Sequence, residues 1–312
     1  MRGDRVVGRI AAILNEIHND HHKERLGFFG FFECVEDQQV ASALLDAVKG
    51  WFAERGVRRM RRPMNPSINY TLGTLVEGFD SSPTFMMTYN PPYYPRLLEG
   101  CGLERAQDLY AYYGYRDMLP RVREKLKPIH DQVVERYGVR VRGVDRSRFV
   151  EDVEAFLQTY NRSMAQHWSY SPMTTAEVRH TAKALRWLIV PDLTAFAELD
   201  GKLVGVILAM LDYNPRIRAI GGKLFPFGLI RLLWNRRRIK RMRLLAANVV
   251  PEYQLMGIGL ALLGAMVRKC CDWGLEEAEF SWVAESNHLS RGSLEKGGAK
   301  RLKTYRIYDW EA

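Results

Sequence analysis

The sequence predicts an α/β protein of two tandem units, each a mixed central sheet flanked by helices, and three observations predict it. Segments recur at matched spacing: Asp4-Arg5-Val6-Val7-Gly8-Arg9-Ile10 parallels Gly201-Lys202-Leu203-Val204-Gly205-Val206-Ile207. Leu97-Leu98-Glu99-Gly100-Cys101-Gly102 likewise parallels Ser293-Leu294-Glu295-Lys296-Gly297-Gly298, and Asn90 mirrors Asn287. Such internal repeats set an architecture before any single element does. Next, two apolar runs from Thr194 to Leu211 are joined by Asp200-Gly201, a strong hairpin signal. Finally, an apolar β-branched run ending at Val250-Pro251 leads through a short turn into a glycine-opened helix, Gly257-Ile258-Gly259.

Composition agrees with a globular chain. The 312 residues are 47% hydrophobic and 26% charged, with a net charge of +10. The longest apolar runs, such as Leu203 to Leu211, are too short to span a bilayer. The four cysteines (Cys34, Cys101, Cys270, Cys271) show no metal spacing, so a reduced, cytoplasmic protein is expected. His18, His21 and His22 lack a matched fourth ligand, and no metal is assigned. The basic balance makes polyanions plausible partners.

In chain order, residues 1–120 read as the first unit. Residue 4 already falls where a hairpin loop is expected, so this copy lacks an opening strand and two helices, which leaves open a longer natural N-terminus or another cover for that edge. Phe28 to Phe32 is a strand, and Val40, Leu44, Val48 and Phe52 mark a helix. Between them, Glu33, Glu36 and Asp37 cap that helix and would repel a pyrophosphate, so this unit is read as degenerate. The turn-rich segments 63–70 and 89–94 are candidate acceptor loops. Residues 121–140 form a helical connector.

The second unit is placed at 141–312. A strand at Val139–Arg142 opens it, and Ser147 is a candidate N-cap for a helix marked by Phe149, Val153, Phe156, Leu157 and Tyr160. An aromatic loop from Asn161 to Thr175 follows. Residues 221–243 form an insertion. From Lys223 to Arg243 it carries eight basic residues and no acidic one, mixed with leucine, phenylalanine and tryptophan. That mixture suits an anionic membrane surface or RNA, or a helix packed on the neighbouring unit. The helix from Ile258 to Trp273 has Leu260, Leu263, Val267 and Cys270 at helical spacing, and Gly274 to end it. A strand over 279–283, an Asn287-led helix and a last strand over 304–310 complete the unit.

The turn before that helix reads as an anion site, because the first backbone N–H groups of a helix lack partners and the macrodipole adds positive potential. A Walker loop is excluded, since Gly259 is followed by Leu260-Ala261, and a third dinucleotide glycine would fall at Leu262. Gln254-Leu255-Met256-Gly257-Ile258-Gly259 instead resembles motif A of the GNAT N-acetyltransferase superfamily, and the element order of residues 141–312 resembles that fold. Segments 63–70, 75–80 and 89–94 also resemble parts of bacterial tandem proteins of this superfamily.

The resemblance implies an N-acyltransferase that moves an acetyl or other acyl group from acyl-CoA to a small-molecule or peptide amine by direct attack. It places the cofactor on Ala247, Asn248 and Val249 of the central strand, on Gln254, Leu255, Met256, Gly257, Ile258, Gly259 and Leu260, and on Asn287. His167, Trp168 and Tyr170 of the aromatic loop are candidate substrate contacts. Acyl transfer needs a deprotonated amine, and Glu252 and Glu285 are candidate bases. The superfamily's general-acid tyrosine before Glu295-Lys296 is here Leu294, with Tyr305 nearby on the last strand as a candidate. Two alternatives stand beside this reading: an aminoacyl-tRNA-dependent transferase of tandem type, or a non-catalytic acyl-CoA-binding protein.

Overall fold

The computed structural model describes residues 3–312 and is a mixed α/β fold in which helices flank one large mixed sheet. In chain order the elements are β1 (Gly8–Leu14), α1 (Glu16–His22), β2 (Leu26–Cys34), α2 (Gln38–Ala53), β3 (Arg59–Arg62), β4 (Met64–Asn65), β5 (Thr71–Leu72), β6 (Thr74–Glu77), α3 (Tyr94–Glu99), β7 (Glu104–Tyr115) and α4 (Leu119–Tyr137). There follow β8 (Arg140–Arg142), α5 (Phe149–Met164), α6 (Thr175–Leu185), β9 (Thr194–Leu199), β10 (Lys202–Leu211), α7 (Asn214–Ala219), α8 (Gly228–Leu233), β11 (Arg241–Val249), α9 (Ile258–Trp273), β12 (Glu277–Ala284), α10 (His288–Gly297) and β13 (Lys300–Glu311).

The sheet runs β1-β2-β3-β13-β7-β12-β11-β10-β9-β8, with β6 also paired to β13. The antiparallel pair β13–β7 joins its two halves. On one side β13 pairs with β3, which is parallel to β2. On the other side β7 pairs with β12, which is parallel to β11. The long closing strand of each half therefore sits next to the other half's parallel pair, and the sheet passes without a break across residues 121–140.

Each element forms for local reasons. The Asp200-Gly201 turn has both residues at positive φ, 50° and 73°, as the tight hairpin between β9 and β10 requires. Asp37 caps α2 by accepting from the N–H groups of Gln39 and Val40. α9 buries Ile258, Ala261, Leu262, Ala265 and Met266 and ends at left-handed Gly274. Its Leu262 and Met266 share a core with Leu193, Ala195 and Ile207 beneath it. α4 lies along α9 at close range: a Cβ added to Gly264 would stand 3.3 Å from the Leu126 carbonyl and from His130 Cβ.

Several expectations are corrected. The aromatic loop is shorter than Asn161–Thr175, because α5 continues to Met164. Thr174 then caps α6 through a reciprocal capping box with Glu177. Ser147 is not the N-cap of α5; that position is Arg148, and the Ser147 hydroxyl donates to Asp145 at 2.6 Å. Of the three carboxylates before α2 only Asp37 caps. Glu33 accepts from the Tyr94 hydroxyl at 2.7 Å, and Glu36 pairs with Arg96. The basic insertion ends sooner than residue 243, because Arg241–Arg243 belong to β11 and Arg243 is buried.

Candidate active site

The turn between β11 and α9 is a short 3₁₀ segment, Pro251–Met256, closed by Gly257 at φ 77°. That left-handed residue favours glycine, and an added Cβ would also meet Val133 of α4 at 3.2 Å. The first hydrogen bond of α9 runs from Ala261 N–H to Gly257 O, so the N–H groups of Ile258, Gly259 and Leu260 precede it. Gln254 and Leu255 are exposed beside them, and Gln254 donates to the Val249 carbonyl at 3.1 Å. The cradle suits a diphosphate on its donors and on its lack of side-chain bulk.

Next to this turn the sheet opens. The parallel register of β11 and β12 runs from Arg241↔Glu277 to Leu244↔Phe280 and stops, although β11 continues to Val249 and β12 to Ala284. Ala247, Asn248 and Val249 lie on the diverging part of β11, opposite Ile207, Val206 and Gly205 of β10. The fork leaves one edge of β11 facing a gap, where a ligand can reach backbone N–H groups.

At the apex of the fork lies a buried polar cluster that sequence reasoning missed. Glu279, fully buried, accepts from the hydroxyls of Thr84, Tyr113 (2.6 Å) and Ser281 (2.6 Å). Ser281 accepts in turn from Arg243 Nε at 2.9 Å, and Arg243 also donates to the Met86 carbonyl at 3.0 Å. Burial pulls the Arg243 guanidinium down to about 10 against the attraction of Glu279. Burial, and Glu279 beside them, push the hydroxyls of Tyr113 and Tyr305 above the ordinary tyrosine range. The one signal in the sequence is the charged Glu279 beside Phe280, Trp282 and Val283 in β12. Its partners Thr84 and Tyr113 come from distant segments and leave no local trace.

The predicted residues fall in different places. Tyr305 borders this cluster on β13. Its hydroxyl is buried and, among the described residues, has no hydrogen-bond partner; the same holds for Trp282 Nε1, whose ring lies edge-on to it at 6.1 Å. Both rings join an apolar cluster with Leu75, Met87, Leu109 and Ile307. Glu252 lies in the turn before α9 on the surface, and its backbone hydrogen bond and Arg162 (2.8 Å) hold its carboxyl below the usual range. Glu285 follows β12 and pairs with Arg105. Asn287 caps α10 by accepting from Ser290 N–H at 3.1 Å. Tyr170 is buried and donates to Asn161 at 2.5 Å, Trp168 lies under the Arg61 guanidinium at 4.3 Å, and His167 is exposed. His21 and His22 contact carbonyls of the same loop, those of Ala165 and Tyr170.

A glycine-opened helix start beside two parallel strands that part is the arrangement of one fold class. The profile of the Acetyltransferase (GNAT) family matches residues 153–298, a span holding the turn, the fork and the buried cluster's Glu279 and Ser281. The chain belongs to the GNAT acetyltransferase family. It is 33% identical to a protein named "Bacterial ceramide synthase" from Caulobacter vibrioides (strain NA1000 / CB15N), over 99% of this chain and 81% of that one. It is 31% identical to "Protein YghO" of Escherichia coli (strain K12), over 99% of this chain and 80% of that one. Among solved structures, a tandem GNAT protein from the clavulanic acid biosynthesis pathway superposes with a TM-score of 0.54 at 12% identity, over all of this chain and 81% of that one.

Proposed function

We propose that this protein is an acyl-CoA-dependent N-acyltransferase whose acceptor is a long-chain amino alcohol, the kind of amine that becomes a ceramide on acylation. The observation that carries this reading is the likeness, along nearly the whole chain, to the protein named bacterial ceramide synthase. The turn at 254–260 belongs to residues 141–312; the matching helix start at α2 carries Asp37, with Glu36 beside it, so one acyl-CoA site is proposed, in the second unit.

The N–H groups of Ile258, Gly259 and Leu260, with the α9 dipole, hold the pyrophosphate. The thioester supplies the activated acyl group. Backbone N–H groups on the open edge of β11, over 247–249, polarise its carbonyl as the negative charge develops. The amine nitrogen attacks that carbonyl; the C–N bond forms, the C–S bond breaks, and the thiolate leaves. Thiols are acidic enough to leave as thiolates without a dedicated acid, which accommodates Leu294. The unpartnered Tyr305 hydroxyl and Trp282 Nε1 are the donors proposed to receive the acceptor's polar head. The proton shed by the amine passes through a cluster hydroxyl, Ser281 or Tyr113, to Glu279. Glu252 and Glu285 lie at the surface instead, paired with Arg162 and Arg105.

The test supplies purified protein with palmitoyl-CoA or acetyl-CoA and with sphinganine or a panel of short amines, reading free thiol and amide by mass spectrometry. Amide from palmitoyl-CoA and sphinganine is expected. Turnover confined to short amines, product only from charged tRNA, or binding of CoA esters without turnover would each overturn the proposed acceptor.

A further inference from the structure

Between β10 and β11 the chain leaves the sheet as a surface hairpin carrying α7 and α8. The fold holds this hairpin from beneath. Arg216 donates to the carbonyls of Leu232, Trp234 and Asn235, and Leu232 and Ile239 are buried against the α9 core. Arg236 donates to the Trp187 carbonyl at 2.9 Å, and Arg237 lies over the Trp273 ring at 4.9 Å. Yet the same hairpin turns six large apolar side chains outward. Leu224, Phe225, Phe227, Leu229, Ile230 and Trp234 are between 47% and 89% exposed. A folded monomer rarely presents so many together without a partner.

The surrounding charge is of one sign. No acidic residue occurs from Tyr213 to Lys240, and Arg218, Lys223, Arg231 and Arg238 are exposed around the apolar side chains. Two copies facing each other through this surface would bring like charges together. RNA binding uses the basic and aromatic groups but gives the exposed leucines and isoleucine nothing to bury against. An anionic bilayer meets both features, with phosphates for the basic ring and an acyl boundary for the apolar centre.

We propose that residues 223–238 dock the protein on an anionic membrane surface. Phe225, Phe227, Ile230 and Trp234 enter the headgroup boundary, and Lys223, Arg231 and Arg238 pair with lipid phosphates. Docking does not depend on the acceptor proposed above, but it places that acceptor within reach. The hairpin meets the sheet at the start of β11, and the phosphate turn lies at that strand's far end, roughly 30 Å away by strand rise. Acyl-CoA then arrives at one end of β11 and lipid at the other. The loop at 83–84 touches both the hairpin and the buried cluster: Asn214 donates to the Pro83 carbonyl, and the neighbouring Thr84 donates to Glu279.

The experiment is co-sedimentation of the full chain with phosphatidylglycerol vesicles and with phosphatidylcholine vesicles. Binding to the first, weakened by 0.5 M salt, is expected. The combined changes Phe225→Ser, Phe227→Ser and Trp234→Ser should lower binding tenfold or more. Lys223→Gln, Arg231→Gln and Arg238→Gln together should lower it roughly a hundredfold, since each basic residue near an anionic surface is worth roughly fivefold. Should a variant misfold, quenching of wild-type tryptophan fluorescence by brominated lipid reads insertion directly. The proposal is overturned by equal binding to phosphatidylcholine, by no binding and no quenching, or by unchanged binding of both folded variants. It is also overturned by tRNA binding without vesicle binding, or by self-association that the serine variant abolishes while vesicles bind nothing.

Discussion

Gly257 is under two constraints, a left-handed backbone and the Val133 methyl group 3.2 Å from where a Cβ would stand. Gly257→Ala should therefore cost about 1–2 kcal/mol in thermal or urea unfolding. Gly259 is different, because its added Cβ would meet only Val249 at 3.6 Å, an ordinary contact. Gly259→Glu should leave the melting temperature nearly unchanged while abolishing calorimetric binding of an acyl-CoA, by placing a carboxylate against the pyrophosphate. Glu279 is the reverse case, a residue whose loss the fold itself would feel. Glu279→Ala leaves Arg243 buried with its carboxylate gone, and should cost about 3–5 kcal/mol. Adding Arg243→Met should recover part of that loss in the same urea titration. His18 makes the fold acid-sensitive. It is buried beside His22, Glu24 and Arg61, and desolvation lowers its pKa from 6.5 to about 4. The unfolded chain then binds the extra proton first, so stability is full above pH 6.5 and declines as pH falls toward 4. The loss amounts to roughly 3 kcal/mol. Urea unfolding of wild type and His18→Asn across this range checks it; the variant's curve should be flatter.

At the scale of elements, the α4–α9 contact rests on a missing side chain. Gly264→Leu should push the connector helix off α9 and cost about 1–3 kcal/mol, read as a fall in unfolding midpoint with the same denaturant slope. These elements were legible in the sequence because their signals are local. Helical spacing marked α2, α5 and α9, the Asp200-Gly201 pair marked its hairpin, and the glycine-opened turn marked the start of α9. The start of α6 could have been read from Thr174-Thr175-Ala176-Glu177, a capping-box pattern. The apex cluster could not be read this way. Tyr113 and Thr84 lie 166 and 195 residues from Glu279, and no periodicity links such positions. The insertion's charges were legible, but which of them face solvent was not: Arg243 joins the buried cluster, while Arg231 and Arg238 stay outside.

For the molecule as a whole, neighbour choice in the sheet was the hidden property. A strand's pattern tells which face is buried, not which strand lies beside it. Nothing local in 300–311 says that β13 enters between β3 and β7, where Arg61 grips Asp309 with two 2.8 Å hydrogen bonds across 248 residues. Because each half's sheet is completed by the other's long strand, the protein should unfold in one calorimetric transition. Residues 1–138 and 139–312 expressed separately should be unfolded or aggregated, and should associate when coexpressed, as size-exclusion chromatography would reveal. The same arrangement bears on how the chain is made. On the ribosome, β3 and β7 emerge early and must wait for residues 300–311 before the slot between them is filled. Until then the growing polypeptide carries two open hydrogen-bonding edges, the most aggregation-prone surface a sheet can offer. Yield in a cell therefore depends on translation speed and on holdase chaperones as well as on the stability of the finished fold.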